Sequence, residues 1–288
     1  MSTCKRCSEK AICSGYCKRH FISYFEKKVK ETLQKYRLIH KKDKVLVGVS
    51  GGKDSLTVLH LLHKEGYIVE ALAIDEGIAN YRDKTLEDAK RFCTGHKIPL
   101  KIVSYQHEFG KTLDSVMKTR TKNACSPCGA FRRNLLNKHS KGYDKLATGH
   151  NLDDEAQTVL INLFKSHIHL IPRQGPITAK KEGFVQRVKP LYFMKEKEIM
   201  TYSYLNGIQT TFTECPYSHT AYRIYVRDLL NRYEDEHPGT KGHILRQHLL
   251  LKKKMKVKKE AMNYCQKCGE PSTQQTCQSC AYQIELKT

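Results

Sequence analysis

The sequence lacks any long apolar run. Nothing in its 288 residues approaches the ~18 consecutive apolar residues of a membrane-crossing helix. Its first residues, Met1-Ser-Thr-Cys-Lys-Arg6, have no apolar stretch of the secretory-signal kind. A cytoplasmic protein with no membrane partner is therefore expected. Acidic residues are scarce beside basic ones: 29 Asp plus Glu face 51 Lys plus Arg, for a formal charge of +22. Solubility does not require such an imbalance, which predicts a polyanionic partner, nucleic acid foremost. The phosphate-loop sequence G-x-x-x-x-G-K-[ST] is also missing, and no internal repeat is found beyond a likeness between the two cysteine-rich ends.

Cysteine is abundant, at twelve residues. In a reducing compartment these are poor candidates for structural disulfides, and metal ligation or sulfur chemistry is the default. They fall into three groups. Near the start lie Cys4, Cys7, Cys13 and Cys17, with His20; near the end lie Cys265, Cys268, Cys277 and Cys280. Four thiolates in two C-x2-C units suit a tetrahedral zinc site, which would supply the folding energy of so short a segment. At the start, Cys4-x2-Cys7 and Cys17-x2-His20 are the favoured knuckles, with Cys13 a competing ligand. Both sites are expected to be structural, because four protein ligands leave no open position. Cys93 sits in a helical pattern and reads as a packed, inert residue.

The middle alternates strand and helix patterns. Strands are predicted at Val45–Val49, Ile68–Ile74, Leu100–Tyr105 and Asp144–Thr148. Helices are predicted at Ser55–Lys64, Tyr81–Thr94, Gly110–Lys118, Ala130–His139 and Asp153–Phe164. This order implies a doubly wound α/β fold with a parallel sheet and ligands at the strands' carboxyl ends. After Pro190 the pattern turns helical, with candidates at Glu196–Asn206, Ala221–Tyr233 and Gly242–Lys254. His167–Gly183 reads as a mobile loop. The implied organisation is a zinc finger at 1–25, a catalytic α/β domain at 26–190, a helical part at 191–260 and a zinc ribbon at 261–288.

Directly after the first strand stands Ser50-Gly-Gly-Lys-Asp-Ser55, that is Ser50, Gly51, Gly52, Lys53, Asp54 and Ser55. Two glycines let backbone N–H groups approach an anion, and the following helix N-terminus adds positive charge. After the fourth strand comes Gly149-His150-Asn151-Leu152-Asp153-Asp154-Glu155. Its carboxylates suit Mg²⁺ near a phosphate loop, or simply the first turn of a helix. His150 is placed either to contact nucleotide or to pack. Asp75, ending the second strand, is placed to touch the nucleotide, to position the loop, or to serve as a turn residue. Cys125 and Cys128 form an isolated C-x2-C, with Cys215 far away in Glu214-Cys-Pro-Tyr217. For these three cysteines an iron–sulfur cluster, zinc and persulfide chemistry all remain open. Arg132 and Arg133 follow the pair and suit phosphate groups of ATP or RNA. The run Lys252–Lys259 is either a solvated face or an RNA phosphate contact.

In this order the motifs resemble the tRNA 2-thiouridine synthetases of the archaeal and eukaryotic cytosolic type. The resemblance rests on the N-terminal ligand set, Gly48-Val-Ser-Gly-Gly-Lys-Asp-Ser55, Cys125-x2-Cys128-Gly129, Ala147-Thr-Gly-His-Asn-Leu-Asp-Asp154, Glu214-Cys-Pro-Tyr217 and the terminal ribbon. It implies the pyrophosphate-loop, adenine nucleotide α-hydrolase-like fold. It also implies a reaction in which ATP and Mg²⁺ adenylate a uridine C2 oxygen and sulfur replaces it. By resemblance, Ser50–Ser55 bind the pyrophosphate portion of ATP and Lys53 neutralises the departing phosphate; Asp75, Gly149 and His150 are the further candidate nucleotide contacts. Asp54 and Asp154 handle Mg²⁺–ATP, and Arg132 is a basic catalytic position. Cys125, Cys128 and Cys215 hold a 4Fe–4S cluster with one open iron that delivers sulfide, a persulfide pair being the rival. The implied partners are tRNA, a sulfur donor (sulfide or a ubiquitin-like thiocarboxylate carrier) and a second copy of the chain. Cys128-Gly-Ala-Phe-Arg-Arg133 resembles the subgroup that thiolates the wobble uridine, and the T-loop ribothymidine is the alternative. A non-catalytic zinc-dependent RNA-binding protein is the reading from another class.

Overall fold

The computed structural model describes residues 2–119, 124–218, 222–255 and 262–285. The chain opens with two knuckles and then helix α1 (Lys18–Lys35), which buries Phe21, Phe25, Val29 and Leu33 at steps of four along one face. There follow β1 (Lys44–Val49), α2 (Lys53–Lys64), β2 (Ile68–Asp75), α3 (Arg82–Gly95) and β3 (Leu100–Ser104). Next come α4 (Tyr105–Phe109), α5 (Leu113–Thr119), α6 (Cys125–Ser140), β4 (Lys145–Thr148), α7 (Leu152–Phe164) and β5 (Gln186–Val188). The last third is α8 (Glu196–Leu205), α9 (Tyr222–Glu236), α10 (Thr240–Lys254), the hairpin β6 (Asn263–Tyr264) and β7 (Pro271–Ser272), and α11 (Gln278–Glu285).

Five parallel strands form one sheet in the order β3-β2-β1-β4-β5. Val45, Val47, Val49, Ala71, Ala73 and Ala147 face one side, packed with α1, α2 and α8. Leu46, Leu72, Ile74 and Leu146 face the other, against Phe131 and Leu135 of α6. Both faces are covered at the centre of the sheet, so β1 and β2 are apolar at most positions rather than alternating. The strand order reverses between β1 and β4, which opens a crevice at their carboxyl ends. A third apolar cluster joins α7, α9 and α10 through Ala156, Val159, Val226, Leu230 and Leu245.

The fold class agrees with expectation, and four of the strands lie within two residues of their predicted bounds. Several local expectations change. The fifth strand, β5, is only three residues long and carries no periodicity to read. The helix expected at Gly110–Lys118 begins only at Leu113, as α5, because Gly110 adopts φ 70° and closes the short α4 that precedes it. His167–Gly183 is not a free loop: Ile168–Arg173 is a 3-10 turn with Ile171 and Pro172 buried, and Lys252 of α10 donates to the carbonyl of Gln174. The boundary expected after residue 25 falls inside α1, whose buried face is part of the main core. The N-terminal knuckles and the α/β layers are therefore one packed unit. Of the basic run, Lys256–Lys259 lies outside the described residues, while Lys252 packs inward.

Candidate active site

Helix α2 starts at Lys53, right after the loop. Gly51 has φ +83°, and a Cβ there would lie 1.8 Å from the Thr85 carbonyl oxygen, so only glycine fits. The loop is held by its own serines. Ser50 N–H donates to Ser55 Oγ (3.1 Å), Gly52 N–H to Ser50 Oγ (3.3 Å), and Ser55 Oγ–H to the Gly52 carbonyl (3.0 Å). Gly149 presses on this helix start, where a Cβ would lie 2.7 Å from Ser55 N. The loop thus sits against the end of β4, at the sheet's reversal point.

A cleft of about 350 Å³ opens there, lined by Ser50, Asp54, Ser55, Glu76, Arg82, Arg132, Gly149, His150, Asp154 and Arg223, among others. Asn151, not Asp153, caps α7: its Oδ1 accepts from Asp154 N–H (3.0 Å), and Asp154 Oδ2 accepts from Asn151 N–H (3.3 Å). The Asn151 amide also donates to Asp54 (3.1 Å), which ties the two segments together. Burial raises both Asp54 and Asp154; Lys53 opposes this at Asp54 and Arg223 at Asp154, while Asp154 adds to the rise at Asp54 and Glu196 and Asp153 add to that at Asp154. Asp153 turns away to pair with Lys241 and to accept from Glu196 N–H (2.8 Å). Burial and the charges of Lys189 and Arg223 hold His150 down at about 4, so it is neutral near pH 7; its Nδ1 lies 2.9 Å from Thr148 Oγ1.

Of the predicted nucleotide contacts, Gly51, Gly52, Lys53 and Asp75 are not among the residues that line the cleft. Asp75 accepts from Gly77 N–H (2.9 Å) and is a turn residue outside the cleft lining. Lys53 lies between Asp54 (3.2 Å) and Glu196 (2.9 Å); burial disfavours its charge, but the two carboxylates win and its pKa is raised.

The neighbour of Asp75 carries more of the geometry. Glu76 is 4% exposed and pairs with Arg82 (2.7 Å) and with both Nε (2.9 Å) and a terminal nitrogen (2.8 Å) of Arg132. Arg82 in turn donates to the carbonyls of Ser50 and Ile74. Arg132 reaches the Cys128 sulfur at 3.6 Å. One buried carboxylate therefore links the loop to the cysteines. Sequence reasoning missed Glu76, Arg82 and Arg223; an acidic residue beside Asp75 at a strand's carboxyl end was the available signal for the first.

Cys125 is exposed at the start of α6, while Cys128 is buried and Cys215 half-buried. Tyr105 donates to the Cys128 carbonyl (2.7 Å) and lies 3.7 Å from its sulfur. Burial raises the Cys128 thiol, Arg132 lowers it, and Cys215 raises it again. Cys215 likewise responds to Cys125, so the three thiols are electrostatic neighbours. Their sulfurs do not close to within 4.8 Å of one another.

Residues 22–233 match the PP-loop domain family. Along 97% of its length the chain is 37% identical to the tRNA-5-methyluridine(54) 2-sulfurtransferase of Pyrococcus horikoshii, covering 93% of that protein. It is also 37% identical to the Cytoplasmic tRNA 2-thiolation protein 1 of Xenopus laevis, over 92% of this chain and 80% of the relative. Among solved structures, the U34-tRNA thiolase NcsA of Methanococcus maripaludis with its [4Fe-4S] cluster superposes at TM-score 0.85, with 33% identity over 99% of this chain and 97% of that one. The chain belongs to the PP-loop tRNA 2-thiolation family.

In this family member the terminal knuckles are geometrically distinct from the central cysteines. Cys4, Cys7, Cys17 and His20 converge within 4.8 Å, as do Cys265, Cys268, Cys277 and Cys280. Four ligands set tetrahedrally at about 2.3 Å from zinc place sulfurs about 3.8 Å apart. Cys7–Cys17 and Cys268–Cys277 are each 3.7 Å apart, and His20 Nδ1 is 3.4 Å from Cys4, Cys7 and Cys17. Cys13 is left out: it packs in the main core, its sulfur 3.9 Å from Ser14 Oγ. Cys93 is 2% exposed, and burial alone pushes its thiol up to about 11. No helix among the described residues is long and apolar enough to cross a membrane.

Proposed function

We propose that this protein replaces the C2 oxygen of a tRNA uridine with sulfur, using ATP, and that the wobble uridine is its target. The observation that carries this reading is the shared cleft. Ser50, Asp54 and Ser55 of the loop, the carboxylate of Asp154, and Arg132 line one hollow, and Arg132 also touches Cys128. In the first step the uridine O2 attacks the α-phosphorus of ATP, and the bond to the β-phosphate breaks. The loop N–H groups and the N-terminus of α2 hold the departing pyrophosphate. In the second step hydrosulfide adds to C2, its proton goes to solvent, and the C2–O bond breaks. AMP leaves with the oxygen. Both steps are substitutions, and no net oxidation occurs.

Asp54 and Asp154 are the carboxylates we assign to the Mg²⁺ that accompanies ATP. Lys53 can neutralise the pyrophosphate only by exchanging Glu196 for phosphate oxygens. The cysteine triad fits a cluster better than a single zinc ion, because its sulfurs stand wider apart than the tetrahedral knuckles and only three are present. Bound on Cys125, Cys128 and Cys215, a 4Fe–4S cluster would supply a Lewis-acidic open position for sulfide. Arg132 keeps positive charge beside Cys128, and Tyr105 fixes the first turn of α6. Zinc is assigned to both terminal knuckles. A second copy of the chain, and sulfide or a thiocarboxylate carrier as donor, complete the proposed partners.

Wobble choice rests on the paired arginines after Cys128-Gly-Ala-Phe131, and similarity to both a U34 and a U54 enzyme leaves the T-loop as the alternative target. The test is anaerobic purification, iron and sulfide determination, and thiolation of an unmodified tRNA transcript with ATP and sulfide. One AMP and one pyrophosphate per thiouridine are expected. Thiolation without AMP formation rules out adenylation, iron-free activity rules out the cluster, and activity surviving removal of the anticodon arm rules out the wobble target.

A further inference from the structure

Several cations in and around the cleft have an acidic partner. Lys53 has Glu196, Arg82 and Arg132 share Glu76, and Lys189 has Glu155. Arg133 and Arg187 differ. Among the described residues neither forms an ion pair, and the contact between them is a donation from Arg187 to the Arg133 backbone carbonyl (3.4 Å). Arg133 is exposed on α6, one residue beyond the arginine that reaches Cys128. Its guanidinium folds back over Gly129, 3.1 Å from where a Cβ would stand, so the missing side chain makes its seat. Arg187 is half-buried on the edge strand β5, on the same sheet face as Leu146, its register partner. Burial and then the charge of Arg133 lower its pKa. The excess charge extends to the cleft, since Arg187 is among the cations that depress His150.

Two neighbouring arginines, one of them half-buried, with no carboxylate partner among the described residues leave their charge open to an incoming anion. The geometry points to Arg133 and Arg187 as an anchor for a backbone phosphodiester of the RNA strand whose base enters the cleft. This rests on the tRNA reading above. The anchor lies on α6 and β5, elements other than the β1 and α2 that carry the Ser50 loop, so it would hold the substrate strand while the loop holds ATP. A phosphate gripped there fixes the strand without reading its base.

The test is the salt dependence of binding to an unmodified tRNA transcript, with the wild type and the variants Arg133→Gln, Arg187→Gln and Arg187→Lys. Each phosphate contact adds about 0.7 to 0.9 to the slope of log Kd against log salt. The two Gln substitutions combined are expected to lower the slope by about that much and each alone by part of it, and Arg187→Lys to restore most of what Arg187→Gln loses. The KM for ATP and the iron content should stay at wild-type values, which also shows that the variants fold. Wild-type slopes in both Gln variants overturn the anchor and leave the thiolation reading intact. A wild type that does not bind tRNA overturns both. A fall in slope with an equal rise in the KM for ATP places the pair at the nucleotide and also overturns the anchor.

Discussion

The protein holds cysteines in two ways. At the two ends, four ligands close to within 4.8 Å of one another, each set a tetrahedron of the size of a single zinc ion. In the middle, Cys125, Cys128 and Cys215 are neighbours that stay further apart, on a helix N-terminus and a distant loop, beside Arg132 and the nucleotide cleft. A closed set has no free position and can only hold structure. An open set of three leaves a position for a reactant. On the proposed reading the same residue type holds structure at the ends and serves chemistry in the centre, and the number and spread of ligands separate the two.

The largest expected break is at the centre. Cys128→Ala should cut thiolation by at least about a hundredfold, as loss of a group acting in the transition state does. Zinc content and tRNA affinity should hold. A metal assay showing zinc lost together with activity would erase the distinction between the two kinds of site. Next, Glu76→Gln leaves Arg82 without its buried partner and frees Arg132. Breaking such a pair costs about 3–5 kcal/mol, toward the lower end here because the Arg132 side chain is 49% exposed. Denaturant titration reads that loss, and sulfur transfer should fall more than ATP binding if Glu76 orients Arg132.

At the ends, Cys17→Ser and Cys265→Ser should each release one zinc equivalent. The first should lower the melting temperature more, because Cys17 precedes α1 and α1 is part of the main core, whereas the ribbon has a small cluster of its own. Cys13→Ala should retain both zinc ions and lose only packing. Equal zinc loss from Cys13→Ala and Cys17→Ser would undo the assigned ligand set. The smallest effect is in pH. Burial, with Lys252 and Lys189 nearby, holds His248 at about 4, below the ordinary 6.5. The unfolded chain then binds more protons between those values, so this contribution to stability is full above about 6.5 and is lost as pH falls toward 4. His60 and His150, both also near 4, act in the same direction. A denaturation midpoint that drops from pH 7 to pH 5, and drops less in His248→Gln, is expected.

Much of this was legible in the chain. Apolar strands followed by helices gave β1 to β4, because buried parallel strands and amphipathic helices write different periods. C-x2-C spacing marked the knuckles. Other features left little trace. Three-residue β5 is too short for a period. The helix α1 does carry Phe21, Phe25, Val29 and Leu33 at steps of four, but it begins inside a ligand set that reads as a separate module. Asp75 and Glu76 are adjacent acids at one strand end. Which of them faces the cleft depends on the turn through Gly77, where φ is 66°.

By itself the sequence determined the kinds of site: a glycine-bearing loop after a strand, paired knuckles at each end, three cysteines in between and an excess of basic charge. Those depend on residue type and near spacing, which the chain states directly. Only the tertiary structure decided which partners meet. It brought Cys215 to Cys125 and Cys128, left Cys13 in the core, gave Lys53 to Glu196, and used Glu76 to join the loop to Arg132. It also left Arg187 against the Arg133 backbone, neither with a carboxylate partner among the described residues. Such choices depend on contacts between residues far apart in sequence, where burial decides whether a charge must find a partner and the packed sheet decides which partners are within reach.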